Sequence, residues 1–466
     1  MPRLFPDAVQ WARANFSEVC LGLDCRTDRL IYSAARLALH PGASLPSLFN
    51  PNDLRCFYCL LHRKEATHDA LLGGHFALTK KAMQVPDTIL IVHDTTELDF
   101  TSHKALHPYL GPIGNGKGFG LLQHNSLAVR ASDGWLLGLA CQQLVKRQPA
   151  PEGETPSQRN RRERESALWP HGFEGVGRAP DGCCWIDVCD RGADIFEALY
   201  VSMDLGHHAL IRACQDRCVW FASADGCQQE GHLMRVARGL PAQAESQVQI
   251  SQKGGRPARL ALVKLAATPV WIEPPKAMPN RKQYKKIGIW VVRIWEEKPP
   301  AGEEALEWVL LSTMPTRTEE EMRLRQDWYA MRWPVAEDYH QAEKSGCGEE
   351  KIRFQKQGAL RALLALLSAV AVRVVQLRQA ARACPEEAAE QMATPLEIAL
   401  VQQALAEQPQ SWTVSQFIHG VAKLGGFMGR KCDGEPGWKT MWRGYERLQH
   451  MMEGIHLAEQ IRQRQQ

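Results

Sequence analysis

The sequence predicts a mixed α/β protein, a strand-rich core interrupted by a second β-rich stretch and bounded at both ends by helices. Three observations predict it. Short apolar runs that end in acids, TILIVHDTTELDF from Thr88 and CCWIDVCDRGADIFEALY from Cys183, read as buried strands with turns or helices behind them. Strict alternation in RLALVKLAATPVWI and KIGIWVVRIW, separated by basic turns, marks a β-rich insertion over about 214–307. Helical spacing dominates residues 1–70 and everything after 318.

In chain order, TDRLIYSAARLALH carries the helical spacing of the first region, and a Pro/Gly/Ser-rich break follows at 41–53. LLQHNSLAV and WLLGLACQQLV read as the next two strands, with a hairpin turn at Ser132–Gly134. HHALIRA is a further short strand, and WVLLSTMP returns the chain to the core after the insertion. The glycine-rich GPIGNGKGFG at 111–120 lacks the Lys-Ser/Thr ending of a P-loop and opens onto a strand, so it reads as a flexible connection. The expected domains are 1–70, 71–380 and 381–466.

At 466 residues and 44% hydrophobic content the chain has material for two or three cores. It starts without a charged-then-apolar leader, and its most apolar stretch, residues 359–379, is broken by Arg361 and Arg373. It therefore reads as a cytoplasmic protein with a buried helix there and no membrane partner. The fourteen cysteines read as reduced, and the lone pairs Cys56/Cys59 and Cys214/Cys218 lack the second half that a structural zinc site needs. Net charge is only +4, but RNRRERE at 159–165, KGGRPAR at 253–259 and NRKQYKK at 280–286 concentrate positive charge, as solvated loops or as contacts to a polyanion.

Three acids stand where elements meet: Asp94 after TILIVH, Asp190 after WIDVC, and Glu337 near the start of a late helix. Carboxylates at the ends of buried strands need compensation, and Mg²⁺ with its preference for hard oxygen ligands supplies it. Two ions about 4 Å apart clamp both oxygens of an in-line phosphodiester displacement. A plain N-cap at Asp190 is the alternative. In WYAMRWPVAEDYHQAEKSG (328–346), a helix starting at Pro334 would put Glu337, His340 and Lys344 on one face, as a salt-bridged helix surface also would.

Taken together, HDTTELDF, VCDRGADI, the spaced Tyr329, Arg332, Glu337, His340 and Lys344 with the following Ser-Gly, AVRVVQLR at 371–378 and KLGGFMGRKCDGEPGWKTMWRGYERL at 423–448 resemble the transposon-five type transposases of the insertion-sequence-four family. CRTDRL near the start resembles part of their N-terminal DNA-binding domain. The resemblance implies a ribonuclease H-like catalytic core flanked by a helical DNA-binding domain and a helical dimerisation domain. It also implies a metal triad of Asp94, Asp190 and Glu337 holding two Mg²⁺ or Mn²⁺ ions. Contacts to DNA are implied for Tyr329, Arg332, His340, Lys344 and Arg212, and for Trp308 stacking on a flipped base or, alternatively, packing in the core. Arg26 and Arg29 are the expected end-recognition residues of the N-terminal domain, with salt bridges to neighbouring Asp24 or Asp28 as the alternative. The implied activity is cut-and-paste transposition: metal-dependent cleavage of double-stranded DNA at element ends through a hairpin, then strand transfer into target DNA, by a nucleoid-associated homodimer. A structure-specific nuclease on the same fold and an inactive DNA-binding inhibitor are the rivals.

One departure bears on the triad. Three residues separate the arginine from the glutamate in the family, and four separate Arg332 from Glu337, so counting forward lands on Ala336 and counting back from Lys344 lands on Glu337. A helix start at Pro334 would absorb the extra residue.

Overall fold

The structure, a computed structural model, describes residues 7–149, 151–155, 158, 164–222, 226–250, 258–407, 411–430 and 436–465, so most of RNRRERE and of KGGRPAR lies outside the described residues. The chain forms two compact units, one of Thr79–Glu97 and Leu121–Ala336, the other of Met1–Leu78, Leu98–Gly120 and Glu337–Gln466.

The first unit is built on a large mixed sheet. Strand β1 (Thr88–Asp99) lies between β3 (Gly118–Arg130) and β5 (Cys184–Cys189), and β4 (Leu136–Val145) pairs with β3. β1 and β5 are parallel, with Ile91 opposite Asp187, and β5 is parallel to β6 (His208–Arg212). Strands buried on both faces read as near-continuous apolar runs, and ILIVH and WIDVC are such runs. β12 (Glu307–Ser312) pairs antiparallel with β6, and the sheet continues through β11 (Ile287–Trp295), β10 (Arg259–Ile272), β7 (Cys218–Ala222) and β8 (Gln228–His232), with β9 (Ala244–Ile250) on β10. The β-rich insertion is thus an extension of the same sheet. Helices α5 (Leu168–Val176) and α6 (Phe196–Asp204) cover one face through Trp169, Phe173, Phe196 and Leu199, packed on Ile211, Val270, Ile289 and Leu311.

The second unit is helical except for one hairpin. Its helices include α1 (Ala8–Phe16), capped by the Asp7 carboxylate, α2 (Asp24–Leu39), and α3 (Pro51–Leu61), capped by Asn50 with proline at its first position. The apolar 27-residue α9 (Gln357–Ala383) is its buried axis. Its segment Gln357–Ala380 is long and apolar enough to cross a membrane, yet 89% of its most apolar 18-residue window is buried inside the protein. Near the C-terminus α10 (Pro395–Ala404), α11 (Val414–Leu424) and α12 (Trp438–Gln465) enclose a core of Val401, Trp412, Phe417, Val421 and Leu448. The N-terminal helices are tied to α12: Arg36 pairs with Glu453 at 2.7 Å and the Trp442 indole donates to Pro41 O at 2.5 Å.

Three local expectations are corrected. β1 does not end at Asp94 but runs on to Asp99, so Asp94 lies inside a strand. The glycine-rich 111–120 segment is an ordered hairpin: β2 (Gly111–Ile113) pairs with the start of β3, Gly111 opposite Gly120. Side-chain space decides this, because a Cβ at Gly120 would fall 2.0 Å from Leu98 O. Helix α8 (Glu319–Gln341) does not start at Pro334 but passes through it. Packing of Met322, Trp328, Tyr329 and Arg332 outweighs the one backbone hydrogen bond that proline removes.

Candidate active site

Within the sheet unit, five separate elements bring six of the expected site residues together. Asp94 is 20% exposed on β1, and Arg332 of α8, itself 5% exposed, donates from Nη1 to Asp94 Oδ1 at 2.8 Å. Burial is the main cause that pushes the Asp94 carboxyl up to about 6, and the neighbouring Asp190 pushes the same way against Arg332. Asp190 follows β5 and does act as an N-cap: its carboxylate accepts from Gly192 N at 2.7 Å at the head of a single 3₁₀ turn, Arg191–Ala193. Gly192 permits this, since a Cβ there would meet Trp169 Cζ2 at 2.8 Å and Asp190 Oδ1 at 3.1 Å.

The basic and aromatic partners line up behind these acids. Tyr329, three residues before Arg332 on α8, is buried, and burial pushes its hydroxyl pKa up against the charges of Arg332 and of Arg212 at the end of β6. Arg212 donates to Glu307 O at 3.2 Å. Trp308 of β12 is half-buried and meets the Tyr329 ring edge-on with centroids 5.0 Å apart. The Arg332 guanidinium stacks over both Tyr329 and Trp333, at 5.7 and 5.4 Å from the ring centres.

Beneath the acids lies a polar network that the sequence reading did not single out. Asp187, two residues from the end of β5, is fully buried and receives His93 Nε2 at 3.0 Å and His207 Nδ1 at 3.0 Å. His207 Nε2 lies 2.8 Å from Gly177 O, so both its ring nitrogens face acceptors and both donate, which makes it an imidazolium. Its basicity is raised accordingly: burial alone would lower it, and the Asp187 charge outweighs burial. His93 donates to Asp187 and accepts from the Ser126 hydroxyl at 3.0 Å, a neutral ring whose pKa burial lowers. An aspartate inside an otherwise apolar strand was the available signal, since a buried carboxylate requires partners.

The remaining expected residues belong to the helical unit. Glu337 is exposed on α8, and Gln341 donates to it at 3.5 Å. His340 is half-buried beside Tyr339, and Lys344 lies 3.6 Å from Glu350. Asp338, which the sequence reading left without a role, pairs with Arg378 of α9 at 2.6 Å. Arg26 donates to Leu21 O at 2.8 Å, and Arg29 is paired with Asp53 rather than with Asp24 or Asp28. Among the described residues no group of three or more His, Cys, Asp and Glu side chains converges on a metal-sized space.

The helix through Pro334 alters the account of the extra residue. Four residues after Arg332, on the same helical face, stands buried Ala336, while Glu337 is one further step of roughly 100° round. Phase is adjusted farther on, where Ala342–Gly346 forms a π turn and Cys347 N donates to Ala342 O, five residues back, at 2.7 Å. Such a turn takes up one residue more than an α turn.

The C-terminal helices are similar to a known domain. Residues 369–463 match the family model described as the transposase Tn5 dimerisation domain.

Proposed function

We propose that the protein is a cut-and-paste DNA transposase of the insertion-sequence-four family with a ribonuclease H-like core. The observation that carries the proposal is the close pair Asp94 and Asp190, with Arg332 at 2.8 Å from Asp94, in a chain that ends in a transposase dimerisation domain. The strand order β4-β3-β1-β5-β6, in which β1, β5 and β6 are parallel, supports the core.

Asp94 and Asp190, with Glu337, would hold the Mg²⁺ or Mn²⁺ ions, two per site. The donor set of the pair suits a hard cation: two carboxylates, one desolvated and pushed up to about 6, repel one another, and a divalent ion relieves both costs. When bound, the ions supply activation of water and of a 3′-hydroxyl. The chain's own residues do the rest. Arg332 neutralises Asp94 and would contact the scissile phosphate, with Tyr329, Arg212, Lys344 and His340 as further phosphate contacts. Trp308, half-exposed against Tyr329, offers an edge for a flipped base.

A second reading, an inactive DNA-binding inhibitor, is favoured by the unbroken helix that puts Ala336 four residues after Arg332. Nicking of element-end DNA in Mg²⁺ or Mn²⁺, measured beside end binding, separates the two. Wild type nicks, while Asp94→Ala, Asp190→Ala and Glu337→Ala bind ends and fall to background, because affinity comes from distributed phosphate contacts. Normal nicking by Glu337→Ala removes it from the triad, and a wild type that binds without nicking favours the inhibitor.

A further inference from the structure

The β-rich extension of the sheet presents a face of aromatic and basic side chains that the proposed cleavage chemistry does not use. Register places Trp220 of β7 opposite Trp271 of β10, and Trp271 opposite Gly288 of β11. Those three positions therefore form one row across three strands. The next row holds Pro269, Trp290 and Ser312. Side chains two apart on a strand share a face, so Trp271 and Pro269, Gly288 and Trp290 all point the same way. The opposite face, through Val270, Ile287, Ile289 and Val291, is the buried one.

Glycine at 288 matters for the shape. A Cβ there would lie 3.3 Å from Trp271 Nε1 and 3.5 Å from its Cδ1, so the indole lies across the neighbouring strand. All three tryptophans are partly exposed, and Pro269 and Gly288 are exposed. Cations cover them. The Lys286 amino group is 4.8 Å from the Trp220 ring centre and 6.0 Å from that of Trp271, and the Arg317 guanidinium is 5.8 Å from that of Trp290. Lys282 and Lys285 are exposed in the turn beside Lys286. The acids nearby are Glu230, opposite Trp220, and Glu273, which Arg281 engages at 3.2 Å.

Flat indoles interleaved with mobile cations form a stacking surface for unpaired bases with charges for their phosphates. A duplex keeps its base faces covered and would use the charges alone. We infer that this face binds single-stranded DNA, as a site separate from the Asp94–Asp190 cluster. The inference rests on the transposase reading for its biological setting, strands left unpaired beside a cut end.

The test is fluorescence anisotropy of the purified full-length protein with a labelled short oligothymidine, without metal, against a duplex of the same length. Trp271→Ala is expected to weaken single-strand binding roughly tenfold, and Trp271→Phe to retain most of it. Lys286→Glu, an exposed change outside the buried core, is expected to weaken it too and to reduce the salt slope by about one. Unchanged single-strand affinity in Lys286→Glu overturns the inference, whether or not Trp271→Ala folds. Equal losses for duplex and single strand overturn it as well. Because no cleavage is measured, loss of nicking in the carboxylate variants and loss of single-strand binding here are read separately.

Discussion

Asp94 and Asp187 stand on adjacent parallel strands, three residues out of step in register, and their surroundings drive their carboxyls in opposite directions. Asp187 is fully buried yet held well below the ordinary carboxylate range, because the His207 charge and hydrogen bonds from His207 and His93 outweigh the cost of burial. Asp94 is less buried, but it has one guanidinium and a second carboxylate beside it, and burial prevails, pushing it up to about 6. The difference lies in the balance of burial against charge and hydrogen bonds. A carboxylate that serves the fold is held by charges and hydrogen bonds that outweigh its burial, whereas one for which burial prevails gains from a cation.

Removing each acid sharpens the contrast. Asp187→Ala leaves the His207 imidazolium buried without its counter-charge, and the expected loss is ~3–5 kcal/mol in urea unfolding. Asp94→Asn should act the other way. A raised carboxyl contributes stability that is fully present below 3.8, its ordinary value, and lost as pH rises through about 6, a difference of about 3 kcal/mol. In metal-free protein the wild type should therefore lose stability across that window and Asp94→Asn should not. Added Mg²⁺ should restore stability to the wild type above pH 6 and leave Asp94→Asn unmoved. Identical pH profiles for both proteins would break the comparison. Gly192→Ala should have a smaller effect, a loss of ~1–3 kcal/mol from overpacking against Trp169, together with reduced nicking as Asp190 is displaced.

The strands were the most legible part of the chain. RLALVKLAATPVWI coincides with β10, Arg259–Ile272, because alternation and flanking turns are local signals. Asp94 and Asp190 were legible as acids at the ends of apolar runs, but Asp187 was passed over, since a strand pattern says nothing of which distant histidines will meet it. The Asp94–Arg332 pair spans 238 residues and is a product of sheet order rather than of any motif. Pro334 misled for a related reason: a local preference for helix starts was overridden by packing on both sides of it. The helices of residues 1–70 were read correctly, yet their attachment to α12 through Arg36 and Trp442 has no local signature.

Burial likewise divides the apolar stripe of the last helix. Trp442, Tyr445, Leu448, Met452, Ile455 and Ile461 follow helical spacing closely enough to suggest one face serving one purpose. Leu448 is 0% exposed in the core with Val401, Phe417 and Val421, Tyr445 packs on the same core, and Trp442 is hydrogen-bonded to Pro41. That half holds the unit together, so truncation at about 440 would unfold it as well as any dimer. Farther along, Leu457 is 59% and Ile461 48% exposed, both inside the matched dimerisation segment 369–463. A two-fold contact brings the same patch of each subunit together, so a charge placed there meets its own copy. Leu457→Glu combined with Ile461→Glu should change monomer stability by no more than about 0.5 kcal/mol, as exposed substitutions do, while shifting the protein to monomer in sedimentation. Single-end binding should persist, and paired-end complexes, seen as mixed species with two DNA lengths on a native gel, should disappear. If the double variant remains a dimer, the contact lies elsewhere in 369–463, and the exposed end of α12 is only a surface.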